Sequence, residues 1–251
     1  MPYVNLITGA AGGIGAAVAR RRAQPGTTLF LLDRDAAGLD AVASECAASG
    51  ARAECRVVDF ATNGWEIEVE HALKRLGRVD VLVNNAGVAT ENEPDDIAGW
   101  QRVLAINLDT PFRLTAACLP WMTSGGRIVN VSSILGRAGK LRNTAYCASK
   151  HGLIGYTKAL ALDLAPRGIT ANAVLPGWVD TPMLRRELAA QADAIGASPE
   201  QLLRNARRQL PIKRFVGEDE VAAMVDYLAS PEAAGVTAQS LVIDGGYTCG
   251  M

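Results

Sequence analysis

Tyr146 and Lys150 stand four residues apart in the run YCASK. In a helix that spacing puts both side chains on one face, about a turn apart. A tyrosine of pKa near ~10 is a poor base at neutral pH, and a neighbouring ammonium favours its phenolate. The pair is therefore suited to moving a proton to or from a substrate oxygen, with Lys150 tuning Tyr146. Ser133 lies thirteen residues before Tyr146, in the run VNVSS, where a strand is expected to end. There a hydroxyl can polarise the same oxygen, and Ser132 is its obvious rival. Asn107, in AINLDTPF, falls inside a helical stretch where asparagine is unfavourable by propensity, which points to a specific local role. Cys147 points off the Tyr146 face by helical phase, so a thiol nucleophile is not expected.

A second constellation sits near the N-terminus. TGAAGGIG places Thr8, Gly9, Gly13 and Gly15 in the pattern TGxxxGxG, between a strand-like run and a helical one. Glycines there let the backbone turn tightly and let a pyrophosphate approach the helix N-terminus, whose dipole favours an anion. Gly9, Gly12, Gly13 and Ile14 are read as dinucleotide-binding. The next strand ends at Asp33, about 20 residues on, where a carboxylate can accept hydrogen bonds from ribose hydroxyls and repel a 2′-phosphate. NAD is therefore expected over NADP, although the guanidinium of Arg34 could attract that phosphate. Asp59 is read either as a partner of the adenine amino group or as a cap for the following helix.

These residues need a scaffold that gathers strand ends. Short apolar runs at Val4–Thr8, Thr28–Asp33, Ala53–Asp59, Val79–Asn84, Arg127–Ser132, Thr170–Pro176 and Ser240–Asp244 predict seven strands. Most lack in/out alternation, as expected where a parallel sheet is covered on both faces. Between them, Ile14–Ala23, Ala36–Ser49, Trp65–Leu76, Ile97–Met122, Ala145–Ala165 and Asp219–Ser230 carry apolar residues at helical spacing. The expectation is a single Rossmann-type, doubly wound α/β domain over residues 1–251, with a mainly parallel seven-stranded sheet flanked by helices on both faces. Met183–Pro211 breaks the rhythm and reads as two short helices, expected to be a substrate lid because it leaves from a carboxyl strand end.

With TGxxxGxG, three further segments, NNAG at Asn84–Gly87, VNVSS and YCASK, identify the chain as resembling the short-chain dehydrogenase/reductase family, in its branch of about 250 residues, over essentially its whole length. The resemblance implies hydride transfer between a secondary alcohol or ketone and a nicotinamide, with Tyr146, Lys150, Ser133 and Asn107 as the catalytic group. It favours Ser133 over Ser132 and gives Asn107 a water linking Lys150 to solvent. Asn85, Ala86, Gly87 and Phe60 join the expected cofactor set, and Lys150 and Tyr146 belong to it too. In PGWVDTPM, Val179 and Thr181 are expected at the nicotinamide carboxamide, with Pro176 and Gly177 shaping the turn. Gly12 stands where NADP-preferring relatives often carry a basic residue. Tetrameric assembly through the long helices and the last strand is implied by resemblance alone.

Substrate identity is less constrained. Some segments resemble polyketide ketoreductases and others 3-hydroxybutyrate dehydrogenases, whose carboxylate-holding side chains are replaced by Ala89, Leu135 and Asn143. Leu135, Leu141, Asn143, Trp178, Met183 and Leu184 are expected to line a mostly apolar pocket for a cyclic, aromatic or 3-oxoacyl compound. The alternatives are an NADPH-dependent 3-oxoacyl or polyketide-type ketoreductase and, more remotely, an NAD-sensing protein without turnover. Lys140, Arg142, Arg185, Arg186, Arg204, Arg207 and Arg208 could meet an anionic substrate tail or simply solvate a helix face. With 25 basic and 26 acidic residues the chain carries no nucleic-acid footprint. Its five cysteines and two histidines lack metal-ligand spacing, so no metal is expected. No apolar run approaches the roughly 20 residues that span a bilayer, and no leader pattern opens the sequence, so a cytoplasmic protein is expected.

Overall fold

The computed structural model describes residues 3–250. Strands form where apolar and β-branched residues run unbroken: β1 (Tyr3–Thr8), β2 (Thr27–Asp33), β3 (Arg52–Val57), β4 (Val81–Asn84), β5 (Arg127–Val131), β6 (Thr170–Pro176) and β7 (Ser240–Ile243). They make one sheet in the order β3-β2-β1-β4-β5-β6-β7, and every pairing between them is parallel. Between the strands lie α1 (Gly13–Arg22), α2 (Ala36–Ala48), α3 (Trp65–Leu76), α4 (Ile97–Leu104), α5 (Thr110–Cys118), α6 (Thr144–Leu164), α7 (Pro182–Ile195), α8 (Pro199–Gln209) and α9 (Glu218–Leu228).

Successive strand side chains leave on opposite faces, so each apolar strand feeds two cores. Ile7, Leu29, Leu31, Val81, Val83 and Val129 meet apolar residues of α1, α2 and α9. Leu6, Phe30, Leu32, Leu82 and Ile128 meet those of α3, α5 and α6 on the other face. This two-sided burial explains why the strands carry no alternation. Only β3 and β7, at the sheet edges, lack a buried run. The chain leaves β1 toward β3 and returns at β4 on the other side of β1, which opens a crevice beyond the carboxyl ends of β1 and β4.

Two expectations are corrected. Ile97–Met122 is not one helix: α4 passes into a wide π turn at Ala105–Asp109, then α5, then a 3₁₀ turn at Leu119–Trp121. Pro111 has no amide hydrogen to give the Asn107 carbonyl four residues back, and the backbone N–H of Thr110 bonds the Ala105 carbonyl five residues back. Strand β3 stops at Val57 rather than Asp59. Val58 still donates its N–H to the Asp33 carbonyl at 2.8 Å, after which Asp59 opens a turn by accepting from Ala61 and Thr62. The helix that follows is capped by Gly64, so Asp59 does not cap it.

Beyond β6, α7 and α8 form a small unit with its own apolar cluster of Leu184, Leu188, Ala206, Leu210 and Phe215. Thr181 starts α7 by accepting the Leu184 N–H at 3.1 Å, and Gly196 ends it in the left-handed region.

Gly15 has almost no room for a side chain: an added Cβ would stand 1.9 Å from the Gly9 carbonyl oxygen. Gly15→Ala is expected to cost about 1–3 kcal/mol through overpacking and to lower Tm by several degrees. A thermal melt checks this, and an unchanged Tm would show that the turn relaxes freely.

Candidate active site

The glycine turn and the end of β4 are fastened together. The Thr8 hydroxyl accepts from the backbone N–H of Asn85 at 3.0 Å and of Ala86 at 2.9 Å. The Asn85 side-chain amide returns to the carbonyls of Thr8 and Gly9 at 3.0 and 3.1 Å. Gly9 and Gly13 both adopt positive φ, 64° and 57°, which favours glycine there. Gly9, Asp33, Arg34, Val58, Asp59, Phe60, Ala86, Gly87, Val88 and Ile106 line the groove beyond these ends. Asp33 is fixed at its rim, one carboxylate oxygen accepting from Ala11 N–H at 3.0 Å and the other from Asp35 N–H at 3.1 Å. Arg34 is exposed beside it. Val58 and Ile106 were not legible as site residues: one lies past its strand, the other in the π turn.

At the other side of the crevice α6 presents Tyr146 and Lys150 together, with Nζ 5.7 Å from the tyrosine ring centroid. Lys150 is buried and donates to the Val131 carbonyl at 2.9 Å. Burial pulls its pKa down to about 8. Burial pushes the Tyr146 phenol up to about 12, opposed by a hydrogen bond with Ser133 and reinforced by the negative charge of Glu187. Ser132 donates its hydroxyl to the Lys150 carbonyl at 3.0 Å, whereas Ser133 Oγ accepts from Leu135 N–H at 3.1 Å and reaches Tyr146. The two serines thus occupy different places, one under the helix and one beside the phenol.

The π turn carries Asn107 inward. Its carboxamide oxygen accepts from Val88 N–H and its amide donates to the Val88 carbonyl, both at 2.9 Å, and to Ser149 Oγ at 3.1 Å. A Cβ on Gly87 would lie 3.3 Å from that carboxamide oxygen and 3.5 Å from Lys150 Nζ. Glycine at 87 is what lets β4, the π turn and α6 converge.

Beyond β6, Pro176 ends the strand and Gly177 lies so close to Asp244 that a Cβ would stand 2.6 Å from the aspartate Cβ. Val179 is buried and bridges Val216. Thr181 comes within ordinary contact of the Cβ position of Gly13, 3.7 Å from its methyl carbon. Of the expected pocket residues, Leu135 is half-buried, Leu141 and Met183 are exposed, and Trp178 stacks on Phe215 with ring centroids 6.4 Å apart. Asn143 is buried with its amide on the Leu141 carbonyl at 2.9 Å, and Leu184 turns into the cluster between α7 and α8.

Four of the basic residues expected near the mouth have partners. Lys140 pairs with Glu187 at 2.6 Å, Arg185 with Asp180 at 2.8 Å, and Arg142 with Glu93 at 2.8 Å and Glu91 at 3.4 Å. Arg207 lies over the Phe215 ring, 5.0 Å from its centroid. Among the described residues no cluster of three or more His, Cys, Asp or Glu side chains could hold a metal, and no helix is long and apolar enough to cross a membrane.

The residues present suit a dinucleotide. Lys150 spends one of three N–H donors on Val131, so a buried ammonium keeps donors for further acceptors such as ribose hydroxyls. At Gly12, which caps α1, a Cβ position meets nothing within 4 Å, leaving the helix N-terminus open to a phosphate.

Comparison with known proteins gives the same picture. The family model described as enoyl-(acyl carrier protein) reductase matches residues 9–248. A protein assigned the ketoacyl reductase role in the monensin polyketide synthase of Streptomyces virginiae is 41% identical, over 97% of this chain and 96% of its own. The 3-oxoacyl-[acyl-carrier-protein] reductase of Thermotoga maritima is 38% identical over 97% and 96%. Among solved structures, a single-substitution variant of the actinorhodin polyketide ketoreductase with NADPH superposes with a TM-score of 0.90 at 39% identity, covering 98% of this chain and 97% of that one. The chain belongs to the short-chain dehydrogenase/reductase family of oxidoreductases.

Proposed function

We propose that this protein is a carbonyl reductase that interconverts a ketone and a secondary alcohol with NADH, acting on a 3-oxoacyl or cyclic ketone. The observation that carries the reading is the convergence of Ser133, Tyr146 and Lys150 at the crevice that the glycine turn opens. Gly9, Gly12, Gly13, Ile14 and Lys150 would hold a reduced nicotinamide dinucleotide, which would supply the two electrons and one hydrogen of the reduction. Tyr146, its phenol kept protonated by burial, hydrogen-bonds the substrate oxygen and gives it the proton. Ser133 donates a second hydrogen bond to that oxygen as negative charge develops on it. Lys150 then opposes the negative charge left on the phenolate, and Asn107 holds the π turn against Val88 so that a water can reach the lysine. The unit of α7 and α8, which leaves the sheet beyond the carboxyl end of β6, covers the substrate.

Asp33 supports NADH: its carboxylate is pinned by two backbone amides at the rim, where it would face a 2′-phosphate. Exposed Arg34 beside it, and the NADPH of the actinorhodin relative, favour the second reading of an NADPH-dependent ketoreductase. Assembly as a homotetramer is supported by Ile97, Trp100, Phe112 and Leu162, apolar side chains left exposed on α4, α5 and α6. Five free cysteines suit a reducing cytoplasm.

A panel of 3-oxoacyl thioesters, cyclic ketones and secondary alcohols, followed by nicotinamide absorbance, tests the activity. Tyr146→Phe is expected to reduce kcat by at least about a thousandfold while leaving NADH binding nearly intact; retained turnover removes Tyr146 from the proton's path. The kcat/KM ratio of NADH to NADPH is expected to exceed about ten and to invert in Asp33→Ala, whereas an NADPH preference in the wild type would replace the cofactor assignment. Lys150 offers a test without substrate. Its folded pKa lies below its unfolded one, so the folded state loses its proton first and stability rises between about pH 8 and pH 10.5. Lys150→Met is therefore expected to raise Tm at pH 7, by about 1–3 kcal/mol of stability, with the gain fading toward pH 10.

A further inference from the structure

Outside the proton-transfer group, two opposite charges face each other across the mouth of the site. Lys140 lies in the loop between β5 and α6, and Glu187 in the second turn of α7; their Nζ–Oε1 distance is 2.6 Å. The two side chains are 35% and 27% exposed, so the pair is partly withdrawn from water, where charge interactions gain strength. Glu187 is also close enough to act electrostatically on the Tyr146 phenol. Two further basic residues of this region are paired, Arg142 with Glu91 and Glu93, and Arg185 with Asp180. A carboxylate arriving on the Glu187 side of Tyr146 would thus meet a like charge, with Lys140 held by that same glutamate.

We propose that Glu187 is a specificity-determining residue that excludes substrates bearing a carboxylate near the carbonyl, by holding Lys140 and by repelling the anion beside Tyr146. The inference rests on the carbonyl-reductase reading and narrows it to neutral ketones and to acyl esters or thioesters. It works as rejection by an unfavourable charge rather than as attraction to the preferred substrate. Replacing Glu187 by glutamine removes the repulsion and releases the Lys140 ammonium in one step, so the acid should gain where its ester does not. A pair that merely latched the loop to α7 would behave differently, because its loss would change acid and ester together.

The experiment compares kcat/KM for 3-oxohexanoate and its ethyl ester in the wild type, Glu187→Gln and Glu187→Gln/Lys140→Met. The acid-to-ester ratio is expected to rise about tenfold in Glu187→Gln and to lose most of that gain in the double variant. A ratio unchanged in Glu187→Gln, or a parallel change for both substrates, overturns the proposal. Calorimetry of 3-oxohexanoate binding in the Tyr146→Phe background, with and without Glu187→Gln and at saturating nicotinamide cofactor, reads the selection without turnover. Tighter acid binding with Glu187→Gln, alongside a wild type that reduces no ester, would preserve the selection and reject the reductase reading. Ester reduction with a flat ratio would do the reverse.

Discussion

The rest of the site depends on the burial of the Lys150 ammonium. A charge removed from water loses its hydration, and here a single protein carbonyl, that of Val131, accepts from it at 2.9 Å. That contact requires α6 to lie hard against the end of β5. Ser132 ties the helix backbone to the strand end through the Lys150 carbonyl, and Gly136 lets the turn after β5 approach, since a Cβ there would stand 2.8 Å from the same carbonyl. The lowered lysine pKa is the electrostatic consequence of this packing. It leaves an ammonium near neutrality whose donors exceed the acceptors the protein provides.

The same closeness fixes the neighbouring pieces. Gly87 gives β4 room to end against both Lys150 and Asn107, and the π turn sets the depth at which Asn107 reaches Val88. Deeper in the sheet, Asn84, Asn130 and Thr157 form a buried chain of hydrogen bonds, each of 2.8 Å, that links β4, β5 and α6. A buried polar chain of this kind resists slippage, because any shift leaves donors unpaired in an apolar surround. The glycine turn is joined to this block through Thr8 and Asn85, so the nucleotide groove and the tyrosine are parts of one rigid arrangement.

By contrast, the approach to the tyrosine is built from charges and loosely covered apolar side chains. Leu141 is almost fully exposed and Arg142 holds a positive φ of 57°, yet the loop is fastened because Asn92 donates to the Arg142 carbonyl and to Thr144 at 2.9 and 2.7 Å. Lys140, Arg142 and Arg185 are each neutralised by a local carboxylate, which lowers the positive field that the number of basic residues suggests. What the site presents outward is a mouth where Lys140, Arg142 and Arg185 are paired, leading to a phenol whose pKa burial raises.

Local rules carried far in this chain. Unbroken apolar runs separated by helical ones specify a parallel sheet covered on both faces, because a strand buried twice has no polar side to alternate. The spacing of Tyr146 and Lys150, the glycines of TGxxxGxG and the aspartate at the end of β2 were legible for a similar reason: each depends on contacts within a turn or a single β-α unit. The π turn at Ala105–Asp109, the groove-lining roles of Val58 and Ile106, and the place of Leu184 inside the cluster between α7 and α8 were not. Each depends on which distant backbone comes alongside, and periodicity does not record that. Charge is the clearest case. The sequence determined how many basic residues stand near the mouth, but only the tertiary structure decided that Glu187, from another element, binds Lys140, because an ion pair depends on distance in space rather than on position in the chain.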